Sequence, residues 1–225
     1  MNDNNSALSS AIRIAELFSS IQGESTYAGR PCFFVRLSGC PYRCSYCDTL
    51  FAQDFTYGRE YSIPEIIAKV KKSNLPLVEI TGGEPLAQKN VLLLFDALIA
   101  EGLEVMLETN GGFDISKIPP AVKRILDCKL PSSQMADRNL YTNYQYLTPH
   151  DEVKFVVGSR EDYEFALNIT QQYDLPSKTK NLLISPVWGT VAFENIVEWI
   201  LADNAPFRFQ LQMHKIIWGA NKQGV

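Results

Sequence analysis

From residue 33 onward, short β-rich runs alternate with amphipathic helical patterns, and this alternation constrains the fold more than any other feature. The runs Phe33–Ser38, Leu77–Ile80, Leu103–Glu108, Arg124–Cys128, Glu152–Val157, Asn181–Ile184 and Phe207–Leu211 read as strands. Ser62-Ile63-Pro64-Glu65 reads as a capping box with proline in the first turn. Ile63, Ile66, Ile67 and Val70 then follow at helical spacing. Val91, Leu92, Phe95, Leu98 and Ile99 make a second stripe, stopped at Gly102. Two more helices are expected over 160–173 and 192–203. Strand–helix units joined by right-handed crossovers build a mostly parallel sheet, either open or curled into a partial barrel.

The chain has 225 residues, 46% of them hydrophobic and 20% charged, which is an ordinary globular balance. One domain is expected over 12–225, behind a flexible polar tail over 1–11 (MNDNNSALSSA) that lacks the basic region of a secretory signal. The net charge of −4 gives no general basic field for nucleic acid or an anionic membrane. The longest apolar run, Val91–Phe95, has five residues against the ~20 of a spanning helix. A cytoplasmic location is expected, where the five cysteines stay reduced and available for metal or catalysis.

Those cysteines are unevenly placed. Cys40-Pro-Tyr-Arg-Cys44-Ser-Tyr-Cys47 puts three thiols in the long loop of about 39–61, whereas Cys32 and Cys128 stand apart. Three thiolates can hold an iron–sulfur cubane, which normally takes four, and leave one iron open to a substrate. The plain alternative is a zinc knuckle with His150 or His214 as fourth ligand. A second motif weighs against zinc. Thr81-Gly82-Gly83-Glu84-Pro85 follows directly on a strand, where paired glycines admit a ligand close to the backbone and Glu84 offers an acceptor for an ammonium group.

The CX3CX2C spacing, with Tyr46 before the last cysteine, and the GGE sequence together resemble the radical S-adenosylmethionine (SAM) superfamily. Ile21-Gln22-Gly23-Glu24-Ser25, Arg36 within Phe33–Leu37 and Cys47-Asp48-Thr49 resemble one family in it, the 7-carboxy-7-deazaguanine synthases. Glu108-Thr109-Asn110-Gly111, Lys129-Leu130-Pro131-Ser132-Ser133 and Gln212-Met213-His214-Lys215 do so as well.

The resemblance implies an α/β fold, a compact, modified (β/α)6 partial barrel. It implies conversion of 6-carboxy-5,6,7,8-tetrahydropterin to 7-carboxy-7-deazaguanine with loss of ammonia, in queuosine and related deazapurine biosynthesis. A 5′-deoxyadenosyl radical would abstract hydrogen from C6 and the ring would contract, with SAM regenerated. The cofactors implied are a [4Fe–4S] cluster on Cys40, Cys44 and Cys47, SAM, and Mg2+ on Thr49. SAM contacts are carried onto Tyr46, Cys47, Asp48, Gly82, Gly83, Glu84 and the segment Asp127, Cys128, Lys129, where many members have Ser-Pro-Lys. The pterin is assigned to Ile21, Gln22, Gly23, Glu24, Arg36, Thr81 and His214, and proton movement to Glu108 and His214. An external electron donor such as flavodoxin or ferredoxin is implied, as is a homodimer.

Some readings stay open. Asp48-Thr49 could simply cap a turn, Arg36 could form a salt bridge, and His214 taken alone reads as a structural histidine. Cys128 and Cys32 read as small buried residues. A glycyl-radical activase shares the CX3CX2C motif, and a non-catalytic zinc or iron–sulfur module is the reading from another class. One check needs no family: TGGEP, Glu108, Asp127–Lys129, Ser185-Pro186 and His214 all fall at the carboxyl ends of expected strands, where α/β folds gather their active sites.

Overall fold

A computed structural model describes residues 11–225; the tail expected over 1–11 lies, except for Ala11, outside them. Among the described residues one nine-stranded sheet forms the molecule, in the order β3-β1-β2-β4-β5-β6-β7-β8-β9. The strands are β1 (Ile12–Ile21), β2 (Pro31–Leu37), β3 (Arg59–Tyr61), β4 (Leu77–Gly82), β5 (Glu104–Thr109), β6 (Lys123–Cys128), β7 (Glu152–Val157), β8 (Leu182–Pro186) and β9 (Arg208–Phe209). From β2 to β9 every pairing is parallel, whereas β1 runs antiparallel to both β2 and β3.

Every expected strand is present, with shifts of a few residues at its ends. Two strands went unread. One is β1, whose Ile12-Arg13-Ile14 start alternates as an edge strand does, and the other is β3, which turns the end of the cysteine loop back onto β1.

Among the described residues six helices accompany the sheet, and all but the last pack on its outer face. They are α1 (Ile63–Ser73), α2 (Val91–Ala100), α3 (Arg160–Gln172), α4 (Leu175–Lys178), α5 (Phe193–Ala202) and α6 (Met213–Trp218). The capping box before α1 is formed in full: Ser62 accepts from the Glu65 amide while Glu65 reaches back to the Ser62 amide. Ile66 and Val70 are fully buried against the sheet. Gly102, at φ +76°, ends α2 as expected.

Two of the strand-to-strand crossovers carry no α-helix. Between β5 and β6 the Pro119-Pro120 pair forbids a continuous helical ladder, and Ile115, Ile118 and Val122 fill the core instead. Between β6 and β7 a chain of 3-10 turns packs Tyr141 and Tyr144 on Tyr173, whose ring centroids lie 5.0 and 5.2 Å away.

Period-two alternation sorts each strand into two faces. Val78 and Ile80, Val105 and Leu107, and Val153, Phe155 and Val157 point outward into the main core. On the inner face, Cys32, Phe34, Leu77, Met106 and Ile125 form a small apolar floor. Above that floor the inward positions turn charged: Glu79, Glu108, Asp127 and Lys154.

Candidate active site

The loop after β2 carries the three thiols. It is pinned at its base, where the amides of Gly39 and Cys40 donate to the carbonyls of Ala52 and Gln53 at 2.8 and 3.1 Å. Cys40 is buried and its sulfur accepts from the Tyr42 amide at 3.4 Å; Cys44 and Cys47 are half-buried. Burial pushes the Cys40 and Cys44 thiols up, so a metal bound there must displace their protons. All three sulfurs line one cavity of about 260 Å3.

No three His, Cys, Asp or Glu side chains among the described residues close on a point that would hold a single ion. His150 lies at the amino end of β7, where its carbonyl accepts from Lys123, on the opposite rim from the thiols. A zinc site using His150 is therefore ruled out by position.

The GGE segment is tighter than the sequence suggested. Gly82 has φ +130°, and a Cβ on it would strike the Leu37 backbone. A Cβ on Gly83 would lie 2.6 Å from the Ala52 carbonyl oxygen. The glycines thus let the cysteine loop dock on β4, and both still line the cavity. Glu84 is wholly buried and stands behind the cavity lining. Its carboxylate accepts from the Leu86 amide (2.9 Å), the Thr109 hydroxyl (2.9 Å) and the Asn110 amide (2.7 Å). Burial pushes it up to about 7 against the pull of those donors.

Asp127 faces inward, so alternation turns the Cys128 side chain outward into the main core, away from the cavity lining. Asp127 itself lines the cavity. Its Oδ2 takes the Lys129 ammonium at 2.7 Å, while its buried Oδ1 has no partner in the structure.

Thr49 occupies the cap position of a 3-10 turn over Leu50–Gln53, but its side chain makes no cap bond; the hydroxyl lies 3.8 Å from the Cys47 sulfur. Asp48 pairs with Lys215 at 2.7 Å. The Tyr46 hydroxyl donates to the Val156 carbonyl at 3.4 Å. All three line the cavity.

The Ile21–Glu24 segment reaches the same cavity from an unexpected direction. Because β1 is antiparallel, Ile21 ends it beside Pro31, at the amino end of the parallel strands. The following loop then crosses the concave face, where Thr26 bonds Glu152 and Glu24 meets Lys154 at 3.1 Å. The Gln22 amide is held at both ends, donating to Glu79 and accepting from the Glu24 amide. Gly23 supports α6: its carbonyl accepts from the Met213 amide at 2.9 Å. A Cβ on it would lie 2.5 Å from His214 Nδ1. Gln212 donates to Glu24 at 2.9 Å.

Arg36 pairs through Nε with Glu16 at 2.9 Å; among the described residues no other hydrogen-bond partner engages its guanidinium. Thr81 donates to Glu108 at 3.2 Å. Burial would raise Glu108, but the charge and hydrogen bond of Lys154 hold it below the usual carboxylate range. Burial pushes His214 down, partly opposed by Glu24, which leaves a neutral imidazole at neutral pH.

Two inward residues were missed, Glu79 and Lys154. A parallel strand covered on both faces reads as a continuous apolar run, so the lone charges inside Leu77-Val78-Glu79-Ile80 and Val153-Lys154-Phe155 were the available signal.

Residues 34–200 match the family described as the Radical SAM superfamily. The fold agrees. A crystal structure of QueE from Escherichia coli covers 95% of this chain and 99% of its own, with TM-score 0.73 at 23% identity. SuiB of Streptococcus suis bound to S-adenosylmethionine aligns over 77% of this chain and 45% of its own, at TM-score 0.53 and 13% identity. Site and fold thus define a radical SAM protein, with a [4Fe–4S] cluster and SAM as its cofactors.

Two curated relatives narrow the class, both 7-carboxy-7-deazaguanine synthases. The one from Koribacter versatilis is 41% identical over 95% of this chain and 100% of its own, and that from Chlorobaculum tepidum is 39% identical over 95% and 97%. The chain belongs to the 7-carboxy-7-deazaguanine synthase family of the radical SAM superfamily.

Proposed function

We propose that this chain converts 6-carboxy-5,6,7,8-tetrahydropterin to 7-carboxy-7-deazaguanine and ammonia, as a radical SAM lyase of deazapurine biosynthesis such as the queuosine route. One observation carries the reading: a single cavity is lined both by the three thiols and by the polar groups that suit a pterin carboxylate and ring.

Cys40, Cys44 and Cys47 would hold the cluster, leaving one iron for SAM. When bound, cluster and SAM supply a carbon radical that removes hydrogen from C6 of the pterin and returns it after the ring contracts. The Gly82–Gly83 backbone, Tyr46, Asp48, Asp127 and Lys129 surround the SAM side of the cavity, and Glu84 acts by fixing the rim on which the glycines sit.

The free guanidinium nitrogens of Arg36 suit the substrate carboxylate as a planar fork. The Thr49 hydroxyl, unused as a cap, suits Mg2+, which accepts few protein oxygens and keeps other positions for water or substrate. Gln22, Glu24 and Thr81 offer fixed acceptors and donors to the ring edges, beside Ile21 and Gly23. Glu108 is an ionised acceptor, and the neutral His214 imidazole can take a proton at a ring nitrogen and return it to the departing amine. An external one-electron donor of the flavodoxin or ferredoxin kind, a cytoplasmic location and a homodimer complete the reading. Among the described residues no helix is long and apolar enough to cross a membrane.

The test is anaerobic reconstitution with iron and sulfide, then dithionite, SAM, Mg2+ and the carboxytetrahydropterin, followed by mass spectrometry. A carboxydeazaguanine mass and ammonia, with SAM largely conserved, are expected, and Thr49→Ala should flatten the Mg2+ titration. 5′-Deoxyadenosine without that product would overturn the substrate; an unchanged Mg2+ titration would overturn the metal role.

A further inference from the structure

Four carboxylates converge on the inner face of the sheet: Glu24 from the β1–β2 loop, Glu79 from β4, Glu108 from β5 and Asp127 from β6. Two lysines serve them. Lys129 pairs with Asp127 at 2.7 Å, and Lys154, on the inner face of β7, touches Glu108, lies 3.1 Å from Glu24 and 4.0 Å from Asp127. Its side chain is 6% exposed. Arg36, paired with Glu16, His214, packed on Gly23, and the Asp48–Lys215 pair at 2.7 Å also face this cluster.

We propose that Lys154 is a positioning residue for the reaction: one buried ammonium that binds Glu24 and Glu108 at once and so fixes both as acceptors toward the pterin. The proposal rests on the reading of this cavity as the pterin site. Neighbouring carboxylates in a dry cavity cannot all ionise without counter-charge. Lys154 spends its contacts on Glu24 and Glu108 and reaches no oxygen of Glu79. Glu79, 2% exposed and accepting from Gln22, is driven up by burial and by Glu108, and the charge of Lys154 opposes this only in part. One lysine thereby sorts Glu108, held low, from Glu79, driven up, and it also ties the substrate loop to the strand opposite.

Removing the charge while keeping the volume should reverse that sorting. In Lys154→Met the pKa of Glu108 rises, so the acid limb of the kcat/KM profile for the pterin moves up by a unit or more, about a tenfold loss below the limb for each unit. Activity returns as pH is raised. Lys154→Arg restores the charge and should leave the limb near its wild-type position.

The charge state is read separately, without pterin, in the infrared spectrum of the holoenzyme. Lys154→Met should gain a carboxylic-acid C=O band at neutral pH that Glu108→Gln removes in the same background. In the wild type, the band lost in Glu108→Gln should titrate below the ordinary carboxylate range. An unmoved acid limb and no new band in a folded Lys154→Met would overturn the proposal. Should that variant not fold, a wild-type Glu108 that titrates in or above the ordinary range would do so. If the bands behave as stated but the wild type leaves the pterin unchanged, the pterin reading fails, and with it the catalytic role of Lys154; the charge sorting alone survives.

Discussion

Gly23 shows how closely this site is set at single residues. Its backbone carries the Met213 amide on one side and the His214 ring on the other, and the added carbon of Gly23→Ala would lie 2.5 Å from His214 Nδ1. That variant should fold normally, cleave SAM as before, and lose about 10²-fold or more in pterin turnover, as a ~1 Å displacement at a reacting centre commonly costs. Steady-state kinetics with both readouts check it; unimpaired turnover would show that His214 needs no such seat. Residues of this kind were only partly legible. The thiols, Arg36, Thr81, Glu108 and His214 could be placed because each sits in a motif or at a strand end. The donors that hold the Glu84 carboxylate, from Leu86, Thr109 and Asn110, lie up to 26 residues away and could not be read from its motif. Lys154 and Glu79 were passed over because neither sits in a motif or at the carboxyl end of a strand, although parallel strands seldom tolerate such charges.

At the scale of elements, local signals were read well and long-range ones poorly. The capping box at Ser62-Glu65 is wholly local, and it formed as read. Ser62→Ala should cost about 0.5–2 kcal/mol of stability and leave the chemistry untouched. Denaturant unfolding of the apoprotein measures this, and a loss near zero would mean that tertiary packing alone holds α1. By contrast β1 gave only a short alternating start, and nothing local says that it runs antiparallel or that the loop after it crosses the concave face to Glu152 and Lys154. Short α6 was equally hidden. Its first turn is held by Gly23 and its Lys215 by Asp48, so its order comes from contacts and not from propensity.

Over the whole molecule, the inward faces of the strands stack into an apolar floor, a charged middle and a rim. Cys32, Phe34, Leu77, Met106 and Ile125 close the bottom, the Lys154 cluster lies above them, and the cysteine loop caps the rim. The loop of the antiparallel hairpin brings a second set of residues to that cavity from the amino end of the parallel strands, and α6 brings a third from beyond the carboxyl end of β9. The two compact crossovers keep the outer layer thin without changing the inner face. The reaction therefore depends on two halves meeting: the thiols on one loop, and the pterin-reading groups on the hairpin, the inner strand positions and α6.

The most direct measurement of that meeting follows deuterium placed at C6 of the carboxytetrahydropterin during turnover by the reconstituted enzyme. Deuterium should appear in the SAM recovered after turnover, because the radical formed at the thiol rim removes hydrogen from a pterin held in the same cavity. Recovered SAM free of deuterium, with 5′-deoxyadenosine forming and the label retained in the pterin, would contradict the account.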